Sequence, residues 1–232
     1  MGAVSKVWLV DLDRATDALF EGEAITPRLS PGETASLDAI TNPDIKRLRR
    51  AAYIARRLVL ERMFGASTRQ RDLPRDRYGR PELPPGFTGS HSLSHVGPFA
   101  LIAASLAPRI GVDLESPRIV RMPPVRRAII QSAARTLSPD PLPIDDDAGF
   151  LQAWTRLEAL AKADGRGIGH LLTMIGAVGG SSPNPPAALA LAASHAITVY
   201  DLPLGSALTA AIVTIDTVRP AVIHGLEQFL DL

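Results

Sequence analysis

The alternation of apolar and polar residues marks the stretch 109–115 as a strand. Successive side chains of a strand point to opposite faces, so the apolar residues at 110, 112 and 114 share one face while Asp113 and Glu115 share the other. Two carboxylates about 7 Å apart repel each other by roughly 2–3 kcal/mol at a surface-like dielectric. The pattern therefore predicts either a solvated edge strand or a binding site for a divalent cation.

A second acidic element follows at residues 150–162. The apolar spacing, the acidic residues 145–147 before it and Gly165 after it predict a helix. Spacing of four places Trp154, Glu158 and Lys162 on one stripe, each about 40° from the next. An ordinary surface pair of Glu158 and Lys162 is one interpretation. A site shared with the acidic strand is the other.

The remaining pattern predicts a chain that alternates strands and helices. The stretch 66–90 is rich in turn residues, and His91 is assigned to a loop. We expect the strand at 99–104 to form a hairpin with the acidic strand, turning at Ala107-Pro108. The other predicted elements are a strand at 7–12, helices at 30–40, 45–64 and 124–135, antiparallel strands at 196–200 and 208–215, and a short amphipathic segment beyond Arg219.

Composition narrows the class of protein. With 232 residues, 46% of them hydrophobic, the chain can bury a core as one large domain or two small ones. The absence of cysteine excludes disulfides, thiolate zinc sites and cysteine nucleophiles. The first 14 residues fit neither a signal peptide nor a membrane span. We therefore expect a cytoplasmic protein that does not bind membranes.

The charge is distributed unevenly, although the net charge is only +1. Residues 46–80 hold twelve Lys or Arg and three acids, and residues 118–135 hold five arginines and no acid. Such blocks indicate a polyanionic partner, which can be a nucleic acid, a phosphorylated cofactor or an acidic protein. An aromatic content of 5% offers few platforms for base stacking, so we expect no nucleic-acid partner.

Four motifs, in this order, resemble those of the 4'-phosphopantetheinyl transferase superfamily. They are Gly79-Arg80-Pro81, Ser94-His95, Gly111-Val112-Asp113-Leu114-Glu115, and the helix with Trp154, Glu158 and Lys162. The resemblance is to the larger type of transferase. It implies an α+β fold of two similar α/β lobes with antiparallel sheets, related by a pseudo-twofold axis, with the active site between them. Residues 1–108 would form the lobe that binds coenzyme A. Residues 109–232 would form the lobe with the metal site and the carrier-protein contacts.

The resemblance also implies a role for each matching residue. Mg²⁺, or Mn²⁺ in its place, would be bound by Asp113, Glu115 and Glu158, a set of hard oxygen ligands. Glu158 would also be the general base, and Lys162 would hold the phosphates during catalysis. The residues expected to bind coenzyme A are Arg47, Gly79, Arg80, Pro81, Ser94, His95 and Lys162.

The implied activity is transfer of phosphopantetheine from coenzyme A to a serine of an acyl or peptidyl carrier protein, by a monomeric enzyme. Two departures from the family pattern affect it. Leu157 stands where the family has a lysine, which leaves a non-catalytic coenzyme A- or nucleotide-binding homologue as an alternative; we expect a lysine to be tolerated there. Residues 32–35 lack the family's lysines, so Arg47, Arg49 or Arg50 would bind the 3'-phosphate.

Overall fold

The computed structural model describes residues 5–142, 146–180 and 182–226. Within these residues the chain forms seven α-helices, one 3-10 turn and two β-sheets, which is a mixed α+β fold. The elements in chain order are β1 (Ser5–Asp11), α1 (Leu12–Ile25), α2 (Pro31–Asp38), α3 (Pro43–Phe64), the 3-10 turn (Ala66–Thr68), β2 (Ser90–Val96), β3 (Phe99–Ser105), β4 (Gly111–Glu115), α4 (Pro124–Arg135), α5 (Asp147–Asp164), α6 (Ile168–Met174), α7 (Pro186–Ser194), β5 (Thr198–Asp201), β6 (Thr209–Thr214) and β7 (Val222–His224).

The strands form two separate sheets. The first has the order β2-β3-β1-β7, in which only the β1–β7 pair is parallel. The second has the order β4-β6-β5 and is antiparallel throughout. A boundary after residue 108 separates the two sheets except for β7, which returns from the end of the chain to pair with β1.

The two sheets lie between two layers of helices. Trp8 and Val10 of β1 pack with α1, α2 and α3, while the alternate residues Val7 and Leu9 pack against the second sheet. The other face of the second sheet packs with α4, α5, α6 and α7. Alternate side chains of β1 thus belong to two different hydrophobic cores. No helix in the described ranges is both long and apolar enough to cross a bilayer.

Four of the described helices, α1, α2, α3 and α5, begin at a residue whose side chain accepts a hydrogen bond from the first turn. The side chain of Ser30 accepts a hydrogen bond from the Glu33 backbone, and Glu33 bonds back to the Ser30 backbone, which makes a complete capping box on α2. Asn42 caps α3, as the sequence predicts. The Asp146 side chain caps α5 by accepting from the Gly149 backbone at 2.8 Å. Asp145, expected to add charge there, lies outside the described residues.

The predicted hairpin between the strand at 99–104 and the acidic strand is wrong. β3 pairs with β1 and β2 instead, and β4 pairs with β6, about a hundred residues later. The assignment of His91 to a loop is also wrong, because it lies in β2. Helices α1, α6 and α7 were not expected. The described part of the segment beyond Arg219 contains β7, and residues 227–232 lie outside the described chain.

Candidate functional site

The acidic strand β4 lies directly against helix α5. Gly111 makes this approach possible, since a Cβ atom there would lie only 2.0 Å from the Ala159 carbonyl oxygen and 2.8 Å from the Ala163 nitrogen. Any larger residue at this position would have to push the helix away from the strand. The contact brings Asp113 of β4 close to Glu158 and Lys162 of α5.

Asp113 is a buried carboxylate with two donors. It is 5% exposed, and its Oδ1 atom accepts hydrogen bonds from Lys162 Nζ at 2.8 Å and from Ser94 Oγ at 2.9 Å. Burial raises the pKa of Asp113, while the Lys162 charge and the two hydrogen bonds oppose that rise and Glu115 adds to it. The balance leaves a carboxylate whose ionised form is poorly solvated.

Glu158 lies in the same electrostatic field. Its pKa is raised, first by burial and then by repulsion from Asp113, with a smaller contribution from Glu115, and Lys162 acts in the opposite direction. Glu115 itself pairs with Arg118 at 3.0 Å. The three predicted metal ligands are therefore within electrostatic range of one another.

Ligand geometry is a stricter condition than electrostatic range. Among the side chains that the structure describes, no group of three or more His, Cys, Asp or Glu residues is arranged to hold a metal ion. The oxygen chemistry of Asp113, Glu115 and Glu158 suits Mg²⁺, and their mutual repulsion is the kind that a cation relieves. The residues thus fit such an ion in chemistry and charge, although the Lys162 ammonium is the cation in contact with Asp113 here.

A cavity of about 420 Å³ opens beside these acids, between α3, the 76–81 loop, β2 and α5. Among the residues that the structure describes, four cationic side chains and a single acid, Glu158, line this cavity. Tyr53 and Tyr78 add aromatic surface. The cations are Arg49, Arg56, Arg80 and Lys162. Such a lining attracts an anionic ligand that carries an aromatic or apolar part.

Most of the predicted coenzyme-binding residues line this cavity. They are Gly79, Arg80, Pro81, His95 and Lys162. Ser94 is buried and its hydroxyl is bonded to Asp113. Arg47 is exposed and lies elsewhere, since its guanidinium bonds Asp13 of α1 at 2.6 Å. Of the three arginines considered for a 3'-phosphate, Arg49 is the one that reaches the cavity.

The loop that carries Gly79-Arg80-Pro81 is a defined turn. Asp76 Oδ1 accepts hydrogen bonds from the backbone of Tyr78 at 2.9 Å and of Arg80 at 3.0 Å, and Gly79 has a φ of +90° that suits glycine. The Arg80 guanidinium donates to the Ala163 carbonyl near the end of α5 at 3.2 Å. The loop is therefore fixed to the helix that carries Glu158.

A buried ion cluster lies under one side of the cavity. The single carboxylate of Glu33 pairs with both Arg56, at 2.5 Å, and Arg57, at 2.6 Å, so the cluster keeps one net positive charge. The Arg56 guanidinium also lies 4.6 Å from the centroid of the Tyr53 ring. Arg56 and Tyr53 were not expected in the site. Their spacing of three along α3 indicates a shared face, but the sequence alone does not say what that face meets.

Both histidines of β2 reach the cavity in the neutral form. Burial, followed by repulsion from Arg56 and Arg57, lowers the pKa of His91 to about 3. Loss of solvation, followed by repulsion from Arg49 and Lys162, lowers the pKa of His95. At neutral pH these rings therefore act through hydrogen bonds rather than through charge.

Comparison with known proteins adds no family assignment. A scan of the chain against protein-family models finds no match. A search of curated proteins finds no match either. The motifs and the geometry around them therefore carry the functional argument.

Proposed function

We propose that this chain is a 4'-phosphopantetheinyl transferase that moves phosphopantetheine from coenzyme A to a serine of an acyl or peptidyl carrier protein. The observation that carries the proposal is the juxtaposition of the cationic cavity with the acids of β4 and α5. The cationic cavity suits a ligand with several phosphates. The acids supply the base that proton abstraction beside a pyrophosphate needs.

The proposal includes the finer arrangement that the resemblance implies. The two sheets with their helices would correspond to two similar lobes related by a pseudo-twofold axis, with residues 1–108 binding coenzyme A and residues 109–232 supplying the acids. In support, the cavity is lined from both sides: Arg49, Arg80 and His95 come from the first range, and Glu158 and Lys162 from the second. A monomeric enzyme of the cytoplasm completes the proposal.

The cavity residues would hold the coenzyme through its anionic groups. Arg49 is our candidate for the 3'-phosphate, because it lines the cavity close enough to His95 to lower the pKa of that ring. Arg80 and Lys162 lie at the α5 side and would meet other phosphate oxygens, with neutral His95 adding a hydrogen bond. Tyr78 and Pro81 supply surface for the adenine.

The reaction exchanges one phosphorus–oxygen bond for another. The serine oxygen of the carrier protein bonds to the phosphorus on the pantetheine side of the pyrophosphate, and 3',5'-ADP leaves with the electron pair of the broken bond. Glu158 accepts the serine proton, and its raised pKa makes it a stronger base than an ordinary glutamate. Mg²⁺ held by Asp113, Glu115 and Glu158 would neutralise charge on the pyrophosphate.

The arginines around α4 would meet the carrier protein. Arg118, Arg121 and Arg126 lie in the segment 118–135, which contains no acid, and Ile119 and Val125 among them are 79% and 73% exposed. A surface with basic and apolar residues suits an acidic amphipathic helix. Arg118 also pairs with Glu115, so this segment is connected to the site.

Intact mass spectrometry tests the proposal directly. The protein is incubated with coenzyme A, Mg²⁺ and several apo carrier domains, and we expect one carrier domain to gain the mass of phosphopantetheine. Asp113→Asn and Glu158→Gln should each lower the rate by about a hundredfold or more. Asp147→Asn, which removes an acid at the far end of α5, should leave the rate unchanged.

The other outcomes separate the alternatives. Binding of coenzyme A by calorimetry without transfer to any of the carriers would support the non-catalytic homologue. Failure to bind coenzyme A at all would contradict the assignment of the cavity.

A further inference from the structure

Two serines on one face of β2 tie the two sheets together. Ser92 and Ser94 are spaced by two, and each is 8% exposed. Ser92 Oγ accepts a hydrogen bond from the Val112 backbone at 3.1 Å, and Ser94 Oγ donates to Asp113 Oδ1 at 2.9 Å. The edge strand β2 of the first sheet is thereby fixed to the edge strand β4 of the second.

The two donors of Asp113 share a single oxygen. Ser94 Oγ and Lys162 Nζ both bond to Oδ1, and Oδ2 receives no hydrogen bond from the part of the chain that the structure describes. Oδ1 is thus saturated with donors, and Oδ2 has none among the described residues. The orientation of the group is thus fixed by Ser94 from one strand and Lys162 from the helix.

We propose that Ser94 is a positioning residue that holds the Asp113 carboxylate so that its Oδ2 atom is free to bind the divalent cation. This inference rests on the proposed function and corrects one part of it. The resemblance assigns Ser94 to coenzyme binding, but its hydroxyl is buried and its one proton is given to Asp113. The contact with substrate passes to His95, the next residue on the strand, which lines the cavity.

Loss of the Ser94 hydroxyl would release the carboxylate. With Lys162 as its remaining donor, Asp113 could rotate and offer either oxygen to the ammonium, which then competes with a metal ion for the same group. A hydrogen bond to a charged group is one of the stronger kinds, so we expect Ser94→Ala to weaken Mn²⁺ binding by about tenfold. Affinity for coenzyme A in the absence of metal should not change.

A matched variant separates positioning from general damage to β2. Ser90 lies on the same face of the same strand and donates to the Ala107 carbonyl at 2.7 Å, away from the acids. Ser90→Ala also removes one hydroxyl with its hydrogen bond, and it should leave Mn²⁺ affinity at the wild-type value. Ser94→Thr keeps the hydroxyl on a β-branched side chain that strands accommodate, and it should restore most of the affinity.

The experiment measures Mn²⁺ binding by electron paramagnetic resonance with coenzyme A present, and the Mg²⁺ dependence of transfer. We expect Ser94→Ala to raise the half-saturating Mg²⁺ concentration about tenfold while the KM for coenzyme A stays the same. If wild type binds Mn²⁺ and Ser94→Ala binds it equally well, the role of Ser94 is excluded and the proposed function stands. If wild type neither binds Mn²⁺ nor transfers phosphopantetheine, the proposed function fails and this inference fails with it.

Discussion

Leu157 shows how a single residue changes the interpretation of the site. It occupies the position where the resemblance places a phosphate-binding lysine, yet it is fully buried in the core beneath the second sheet. Its neighbour Arg156 is also fully buried and bonds Asp201 at 2.6 Å, so it does not substitute for that lysine. Arg49 and Arg56 supply cations from α3 instead. In the proposed function, these two arginines would take the place of the missing lysine.

The burial of Leu157 reverses the expectation that a lysine would be tolerated at this position. Leu157→Lys would remove a packed side chain and bury an ammonium without a partner, so we expect the free energy of unfolding to fall by about 3–5 kcal/mol. Thermal denaturation measures this loss. Leu157→Met, which nearly conserves volume, is the control and should cost less than about 1.5 kcal/mol. A lysine variant as stable as the wild type, with higher affinity for coenzyme A, would restore the original expectation.

The surroundings of Glu158 predict that wild type and Glu158→Gln differ in stability by an amount that depends on pH. Burial and repulsion from Asp113 raise its pKa above the ordinary value of 4.5. Stability from this group is therefore fully present below pH 4.5 and is lost as the pH rises through the folded-state pKa. Glu158→Gln removes that loss, so we expect its Tm to exceed that of wild type by about 1–3 °C at pH 7. The difference should vanish near pH 4.

Asp147, on the same helix as Glu158, predicts the opposite dependence of stability on pH. The hydrogen bond from Arg127 lowers its pKa, so its contribution is present above the ordinary Asp value and is lost as the pH falls through the folded-state pKa. Asp147→Asn should therefore not raise the Tm at pH 7. An equal rise in both variants would mean that the effect of Glu158→Gln comes from total charge rather than from its surroundings.

At the scale of the elements, the sequence predicts those that follow local rules. Helices α3, α4 and α5 show apolar residues at spacings of three and four, and capping residues or prolines mark the starts of α3 and α4. β2 lacks an apolar pattern because its buried serines bond to β4 rather than fill a core. The pairing of β4 with β6 is set by contacts between distant residues, which no local pattern encodes.

The same limit applies to the candidate site. The spacing of Glu158 and Lys162 predicts that they share one stripe of a helix, and the resemblance implies that Asp113 lies beside them. The structure places Lys162 in contact with Asp113, and Glu158 in the electrostatic field of Asp113. The arginine of α3 that faces the cavity is not predictable in this way. Residues two apart on a helix point about 160° away from each other, so choosing between Arg47 and Arg49 requires knowing which face α1 covers.

The two faces of α3 supply the next prediction and its control. Arg49→Ala should weaken coenzyme A by about tenfold, the value of one charge-assisted hydrogen bond, and should weaken dephospho-coenzyme A much less. Arg47→Ala, which breaks an exposed pair with Asp13, should leave both affinities unchanged. Calorimetry with the two ligands measures this. Equal losses for both ligands with Arg49→Ala would remove it from the 3'-phosphate, and a selective loss with Arg47→Ala would reassign that role.

At the scale of the whole molecule, the two halves of the chain are joined at several points. A core of apolar residues lies between the sheets, and β7 from the end of the chain completes the first sheet. Ser5 Oγ bonds both Ser105 Oγ at 3.0 Å and Thr214 Oγ1 at 2.8 Å, which links β1 and β3 to β6. The cavity itself needs residues from both halves. The core between the sheets and the cavity therefore both need residues from the two halves.

This mutual dependence predicts one cooperative unfolding transition rather than two. We expect scanning calorimetry to show a single peak in which the calorimetric and van 't Hoff enthalpies agree. Coenzyme A should move the whole peak to higher temperature, because a ligand that binds only the native state stabilises everything that unfolds with its site.

Thr214→Val tests the connection at a point away from the cavity. It removes a buried hydroxyl at nearly constant volume and leaves Ser5 with fewer partners, so we expect a loss of about 1–3 kcal/mol. The single peak should move to lower temperature without splitting, and its upward shift with coenzyme A should stay as large as in the wild type. Two peaks, of which only one responds to coenzyme A, would show that the halves unfold independently and that the binding site belongs to one of them.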